Sequence, residues 1–157
     1  LKTYDTFVNE SIRDRMTPKS KEEIETIMTK MKEGGEVRTY TELIGKTIVD
    51  VKENEDRYGF VVSVDFVFDD GSVYSMYNEE AGTGNDCTIT LEDVNGEWSD
   101  LYGEPLVVAE EITNTTQSGS GTWTFYKFAT IKGYVDLRWF GESNGYYSEI
   151  VSFRKIK

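Results

Sequence analysis

The sequence predicts an α+β protein: N-terminal helices followed by a mainly antiparallel β-sheet domain of about seven or eight strands. Three observations predict it. Apolar residues recur at helical spacing up to residue 35. From residue 36 the period changes to two. The strand-like runs are joined by short turn-forming stretches with no helical pattern between them, which favours antiparallel neighbours. The chain of 157 residues thus divides into a helical segment at 1–35 and a β domain at 36–157.

In the first segment, Tyr4, Phe7, Val8 and Ile12 form a narrow apolar stripe. The stretch "MTPKSKEEIETIMTKMKEGG" carries a full set of helix signals. Thr17 or Ser20 can cap, Pro18 fits a first turn, and Ser20 with Glu23 fits a capping box. Ile24, Ile27, Met28 and Met31 make one face, a docking stripe, and Gly34-Gly35 ends it.

In the second segment, one helical turn is expected at Thr41 to Ile44, then a strand from about Lys46. "YGFVVSVDFVFDDGSVYSMY" reads as a hairpin in which Asp70-Gly71 supplies the φ > 0 residues of a tight turn. "CTITLEDV" alternates Cys87, Ile89 and Leu91 with Thr88, Thr90 and Glu92. "PLVVAEEIT" and "GTWTFYKFATIKG" add strands; aromatics on both parities of the latter predict a central strand covered on both sides. "NEEAGTGND" and "NTTQSGSG" are loop tips, and the first lacks the Lys-Ser/Thr and helix of a phosphate loop. "LRWFGESNGYYSEIVSF" reads as a closing hairpin around Asn144-Gly145. That register sets Arg138 opposite Val151, Phe140 opposite Glu149 and Glu142 opposite Tyr147, giving a core face and a charged, aromatic face that also carries Asp136 and Phe153. The charged face is either a binding wall or a sheet surface decorated by an Arg138–Glu149 pair.

Composition limits the chemistry. There are no histidines, which removes serine triads, Cys–His pairs and most zinc sites. Adjacent acids such as Glu79-Glu80 and Glu110-Glu111 point to opposite faces of a strand and form no dyad. No catalytic residue, metal site or cofactor is expected, and the chain is not expected to be an enzyme. Cys87 is the single cysteine, which fits a reducing, intracellular setting. No apolar run approaches the roughly 20 residues of a membrane span, so no membrane association is expected. Residues 1–35 carry seven basic and seven acidic side chains; the other ten basic and twenty-two acidic ones give the β domain the whole net charge of −12. Such a domain repels nucleic acid, so direct nucleic-acid binding is not expected, while a basic protein partner fits.

Two resemblances add to this reading. The opening "LKTYDTFVNES" resembles the capsid-targeting leader of internal proteins of T-even-type phages, through Lys2-Thr3-Tyr4 and Phe7. It implies a leader at residues 1–10, cut between Glu10 and Ser11 after Val8-Asn9-Glu10, with Val8 in place of the motif's Ile or Leu. Residues 43–156 resemble a family of uncharacterised small phage and bacterial domains, through "LIGKTIVDV", "WTFYKFATIKGYVDLRW" and "FGESNGYYSE". More loosely, size and layout resemble phage Thoeris anti-defence sponges, β-rich oligomers that sequester cyclic nucleotide signals without cleaving them. That resemblance implies a phage-encoded, non-enzymatic homo-oligomer in the host cytoplasm during infection, binding a small nucleotide-like ligand. Arg57 and Arg138 would hold its anionic part, Trp123, Tyr126 and Tyr147 would stack, and Asn144 would read a polar edge. The leader implies instead an internal virion protein, and the acidic charge an inhibitor of a basic host protein.

Overall fold

Alternation along β3 (Val61–Phe68) shows how the fold is built: Val64, Phe66 and Phe68 are buried, while Ser63, Asp65 and Val67 between them are partly exposed. The computed structural model of the chain describes Ser20, helical residues Glu22, Glu23, Glu25, Thr26 and Thr29, and residues 35–80, 87–115, 121–143 and 148–157. Around β3 the other described strands are β1 (Glu36–Thr39), β2 (Ile48–Glu55), β4 (Val73–Tyr77), β5 (Cys87–Asn95), β6 (Val108–Thr115), β7 (Thr122–Thr130), β8 (Gly133–Ser143) and β9 (Ser152–Lys155). They form two antiparallel sheets, ordered β1-β6-β7-β8-β5 and β2-β3-β4-β9.

The sheets pack face to face through aromatic side chains. Phe66 of β3 lies 5.4 Å from Phe128 of β7, and Phe153 of β9 lies 5.5 Å from Tyr126. Trp139, Leu137 and Val135 of β8 and Met76 of β4 are fully buried in the same core. A 3-10 turn at Thr41–Leu43 brings Tyr40 and Leu43 into it, where the sequence expects one helical turn. The β3–β4 connection is a hairpin, but Asp70 does not share the left-handed conformation expected of it. Gly71 alone takes φ +84°, in a three-residue loop closed by Phe68 N–H on the Ser72 carbonyl.

The fold class is therefore all-β, and the expectation of an α+β fold with N-terminal helices is corrected. Among the described residues the elements are strands and two short 3-10 turns, with no α-helix that forms a layer. The capping box expected of Ser20 and Glu23 is present: Glu23 N–H donates to Ser20 Oγ at 3.1 Å and Ser20 N–H to Glu23 Oε2 at 3.2 Å. A capping box starts a helix, but helices draw most of their stability from packing, and here the core is complete between two sheets. The described strands number nine rather than seven or eight. Among the described residues no helix is long and apolar enough to cross a membrane.

A second correction concerns 137–153. β8 is hydrogen-bonded to β7 on one side and β5 on the other, and β9 pairs with β4 in the opposite sheet. A strand with two neighbours has no edge left for a third, so the closing hairpin does not form. Arg138 faces Phe125 and Asp93 rather than Val151, and Phe140 faces Trp123 and Thr90 rather than Glu149. The chain instead passes from one sheet to the other. Its return at 148–150 is tied by Asn78, whose side-chain amide donates to the carbonyls of Ser148 and Ile150, both at 2.9 Å. Gly141 permits this passage, because a Cβ there would lie 2.2 Å from the Glu149 carbonyl oxygen.

Candidate functional site

The five-stranded sheet has an unusual outer side. Residues of β8 that alternate with its core set are Asp136, Arg138 and Phe140, and those of β7 are Trp123, Phe125 and Lys127. The register sets Trp123 opposite Phe140, Phe125 opposite Arg138 and Lys127 opposite Asp136. Trp123 and Phe140 have ring centroids 4.6 Å apart, and the Arg138 guanidinium carbon lies 4.7 Å from the Trp123 ring. The result is an aromatic pair with a cation under the indole.

Arg138 is only 3% exposed, and its charge is met by Asp93 of β5. A β-bulge makes that contact. Leu91 pairs with Trp139, Glu92 is the extra residue, and Asp93 pairs with Arg138. In an unbroken ladder Leu91 and Asp93, two apart, would share a face; with Glu92 set aside as a bulge, Leu91 packs against the core and Asp93 turns to the outer side. Asp136 is fully buried on that side, as are Ile112 of β6 and Phe125. At the other end Lys127 Nζ sits 4.6 Å over the Tyr134 ring, and the Tyr134 hydroxyl donates to Glu25 of the helical residues.

Of the residues expected to bind, Trp123 and Arg138 are together. Arg138 is engaged by Asp93, so it fixes the indole from beneath and offers no free fork for a phosphate. Arg57 is exposed at the β2–β3 tip of the other sheet, 5.5 Å from the Tyr58 ring, and does not join them. Tyr126 points into the core, against Tyr40, Phe128 and Phe153. Asn144 and Tyr147 lie outside the described residues, as do Glu10, Ser11 and the leader at 1–10. Two partners escaped the sequence reading: Asp93, hidden by the bulge, and Phe140, visible on the charged face but paired there with the wrong strand.

The inner side holds a second polar group. The Tyr40 hydroxyl donates to Glu111 Oε2 at 2.8 Å, beside Tyr126. Burial, with the Glu111 charge beside them, pushes both phenols well above the usual tyrosine range, so both stay protonated. Burial, then Glu80 and Glu149, also raises the Cys87 thiol, which donates to the Ser148 carbonyl at 3.2 Å and is held as a thiol rather than a nucleophile. Among the described residues no cluster of three or more His, Cys, Asp or Glu is arranged to hold a metal ion. What the outer face can do is stack a flat ligand on Trp123 and Phe140.

Residues 41–153 match a family described as a domain of unknown function (DUF7448). No curated protein and no solved structure gives a significant match.

Proposed function

The chain belongs to the DUF7448 family of domains of unknown function, and from the geometry of its outer sheet face we propose that it is a non-enzymatic binding protein for a small nucleotide-like ligand. One observation carries the reading: two half-buried rings, Trp123 and Phe140, lie side by side on the face turned away from the core, with a guanidinium fixed beneath the indole. A cation under one side of an indole draws π density from the other, which favours an electron-rich ring such as a purine stacking there. Sequestration without turnover is the mode of an anti-defence sponge, and the phage origin belongs to the same proposal, supported by the opening residues. The ligand's base is read by stacking; among the described residues its phosphate finds no gathered arginines, so affinity rests on the rings. Tryptophan fluorescence and titration calorimetry against a panel of cyclic nucleotides test this. Binding that disappears in Trp123→Ala is expected, and a panel without heat or quenching removes the reading.

A second reading, an acidic inhibitor of a basic protein, is favoured by the exposed edge of β2 and its tip. There Asp50, Glu53, Glu55 and Asp56 outnumber Lys52 and Arg57. It expects salt-sensitive binding to a cationic protein probe such as lysozyme, unchanged in Trp123→Ala.

A further inference from the structure

The four sheet edges are not equally guarded. β5 carries the bulge at Glu92, and β9 bears the exposed neighbours Arg154 and Lys155, like charges that would repel a second copy. β2 is partly covered, since Gly103 N–H bonds the Ile48 carbonyl and the Tyr102 hydroxyl accepts from Val51 N–H. Its remaining length bears Glu53 and Glu55, like charges that would repel a second copy. β1 lacks these devices. It reads Glu36-Val37-Arg38-Thr39, all four residues are exposed, and it is hydrogen-bonded to β6 alone among the described strands.

The direction of its backbone groups follows from one bond. Tyr40 N–H donates to the Ala109 carbonyl at 2.9 Å, and Tyr40 continues the β1–β6 register of Glu36 with Thr113 and Arg38 with Glu111. The even residues therefore turn their N–H and C=O toward β6, and Val37 and Thr39 turn theirs to the free edge. We infer that two copies of this chain join through β1, antiparallel about a twofold axis at Val37, to make one continuous ten-stranded sheet.

Backbone and side chains select that register independently. A twofold at Val37 makes it a hydrogen-bonded pair with Val37 of the second copy, each exchanging N–H and C=O. Glu36 then falls opposite Arg38 of the second copy, and Arg38 opposite its Glu36, both in the non-hydrogen-bonded spacing where side chains approach closest. Val37, 45% exposed beside buried Ile112, gains an apolar neighbour. The Arg38 guanidinium carbon already rests 4.4 Å from the Tyr40 ring, so little side-chain freedom is left to lose. Four residues a side bury less than a standard interface, so the dimer is weak and concentration-dependent.

Sedimentation velocity of the full chain over a concentration series tests it. The wild type is expected to shift from monomer toward dimer as concentration rises. Val37→Pro removes only an outward N–H and leaves the β6 bonds in place, so it should stay monomeric with an unchanged thermal melt. Should Val37→Pro fail to fold, charge exchange decides: Glu36→Arg and Arg38→Glu should each abolish the shift, and the double variant should restore it. A wild type that stays monomeric throughout, a dimer indifferent to Val37→Pro in a folded variant, or a double variant no better than either single overturns the inference. Loss of nucleotide binding without loss of the dimer would bear on the proposed ligand alone.

Discussion

Phe66 and Trp139, on the inner sides of the two sheets, are both fully buried, but the outer sides differ. On the four-stranded sheet Asp65 is partly exposed and shares a wet network, with the Asn54 amide donating to Asp65 Oδ2 at 3.2 Å and to Ser63 Oγ at 3.0 Å. On the five-stranded sheet Asp136 has no exposure, Arg138 is 3% exposed, and Phe125 and Ile112 are buried beside them. A sandwich needs only its inner faces dry. The second dry face, which encloses charge, is an addition to the fold. A buried ion pair is weak evidence of stabilisation, since desolvation of both ions offsets their attraction. The contrast teaches that the four-stranded sheet is built for stability, whereas the five-stranded sheet also holds a set of side chains in place.

The contrast breaks most sharply at the ion pair. Asp93→Ala leaves Arg138 charged and buried, so urea unfolding should show a loss of about 3–5 kcal/mol. Replacing both partners by apolar residues, Asp93→Leu with Arg138→Met, should recover most of it, and the indole emission of Trp123 should shift because its cation is gone. The link between the sheets comes next. Asn78→Ala removes both donors that fasten 148–150 and should cost about 1–3 kcal/mol by the same measurement. On the wet sheet the Arg154–Glu79 pair, at 2.7 Å with side chains 63% and 49% exposed, should contribute less than about 1 kcal/mol, so Arg154→Ala is expected to be nearly silent.

The smallest effect is confined to alkaline solution. The folded protein holds Tyr40 and Tyr126 protonated above the pKa of about 10 that tyrosine has when unfolded. Their contribution is complete below pH of about 10 and falls as pH rises beyond it, because the unfolded chain releases those protons first. Unfolding midpoints should decline above that pH, and Tyr40→Phe should flatten the decline. Absorbance at alkaline pH should show tyrosines that ionise only on unfolding.

Much of this was legible because alternation is local. The parity of Phe66, Tyr126 and Trp139 is written in their own strands, and so is the central place of β7, whose outer face buries Phe125 and half-buries Trp123. The all-β class was not legible, because helix signals at 20–29 report local preference and not whether a helix forms a layer of the core. The pairing of β8 was not legible, because Asn144-Gly145 is a strong hairpin signal while partner choice between distant strands leaves no local mark. One sign was present. The hairpin register put Val151 and Phe153 on the same face as Arg138 and Asp136; both apolar residues are in fact buried, at 3% and 6%, in the core. A face that mixes such residues joins two strands that belong apart. The site was half legible for the same reason: Trp123 and Arg138 lie on adjacent strands of the right parity, whereas Asp93 reaches them only through a break in phase.

That break gives Glu92 a role unrelated to its chemistry. It is a residue set outside the ladder, so that its neighbours on both sides keep consecutive partners on β8. Losing that one residue would join Leu91 directly to Asp93 in a regular ladder, with Leu91 still opposite Trp139 on the core side and Asp93 still opposite Arg138 on the outer side. Substitution at 92 and loss of the residue itself should both leave Asp93 opposite Arg138, whereas pulling Glu92 into the ladder in its place would turn Asp93 to the core and leave the guanidinium without its carboxylate.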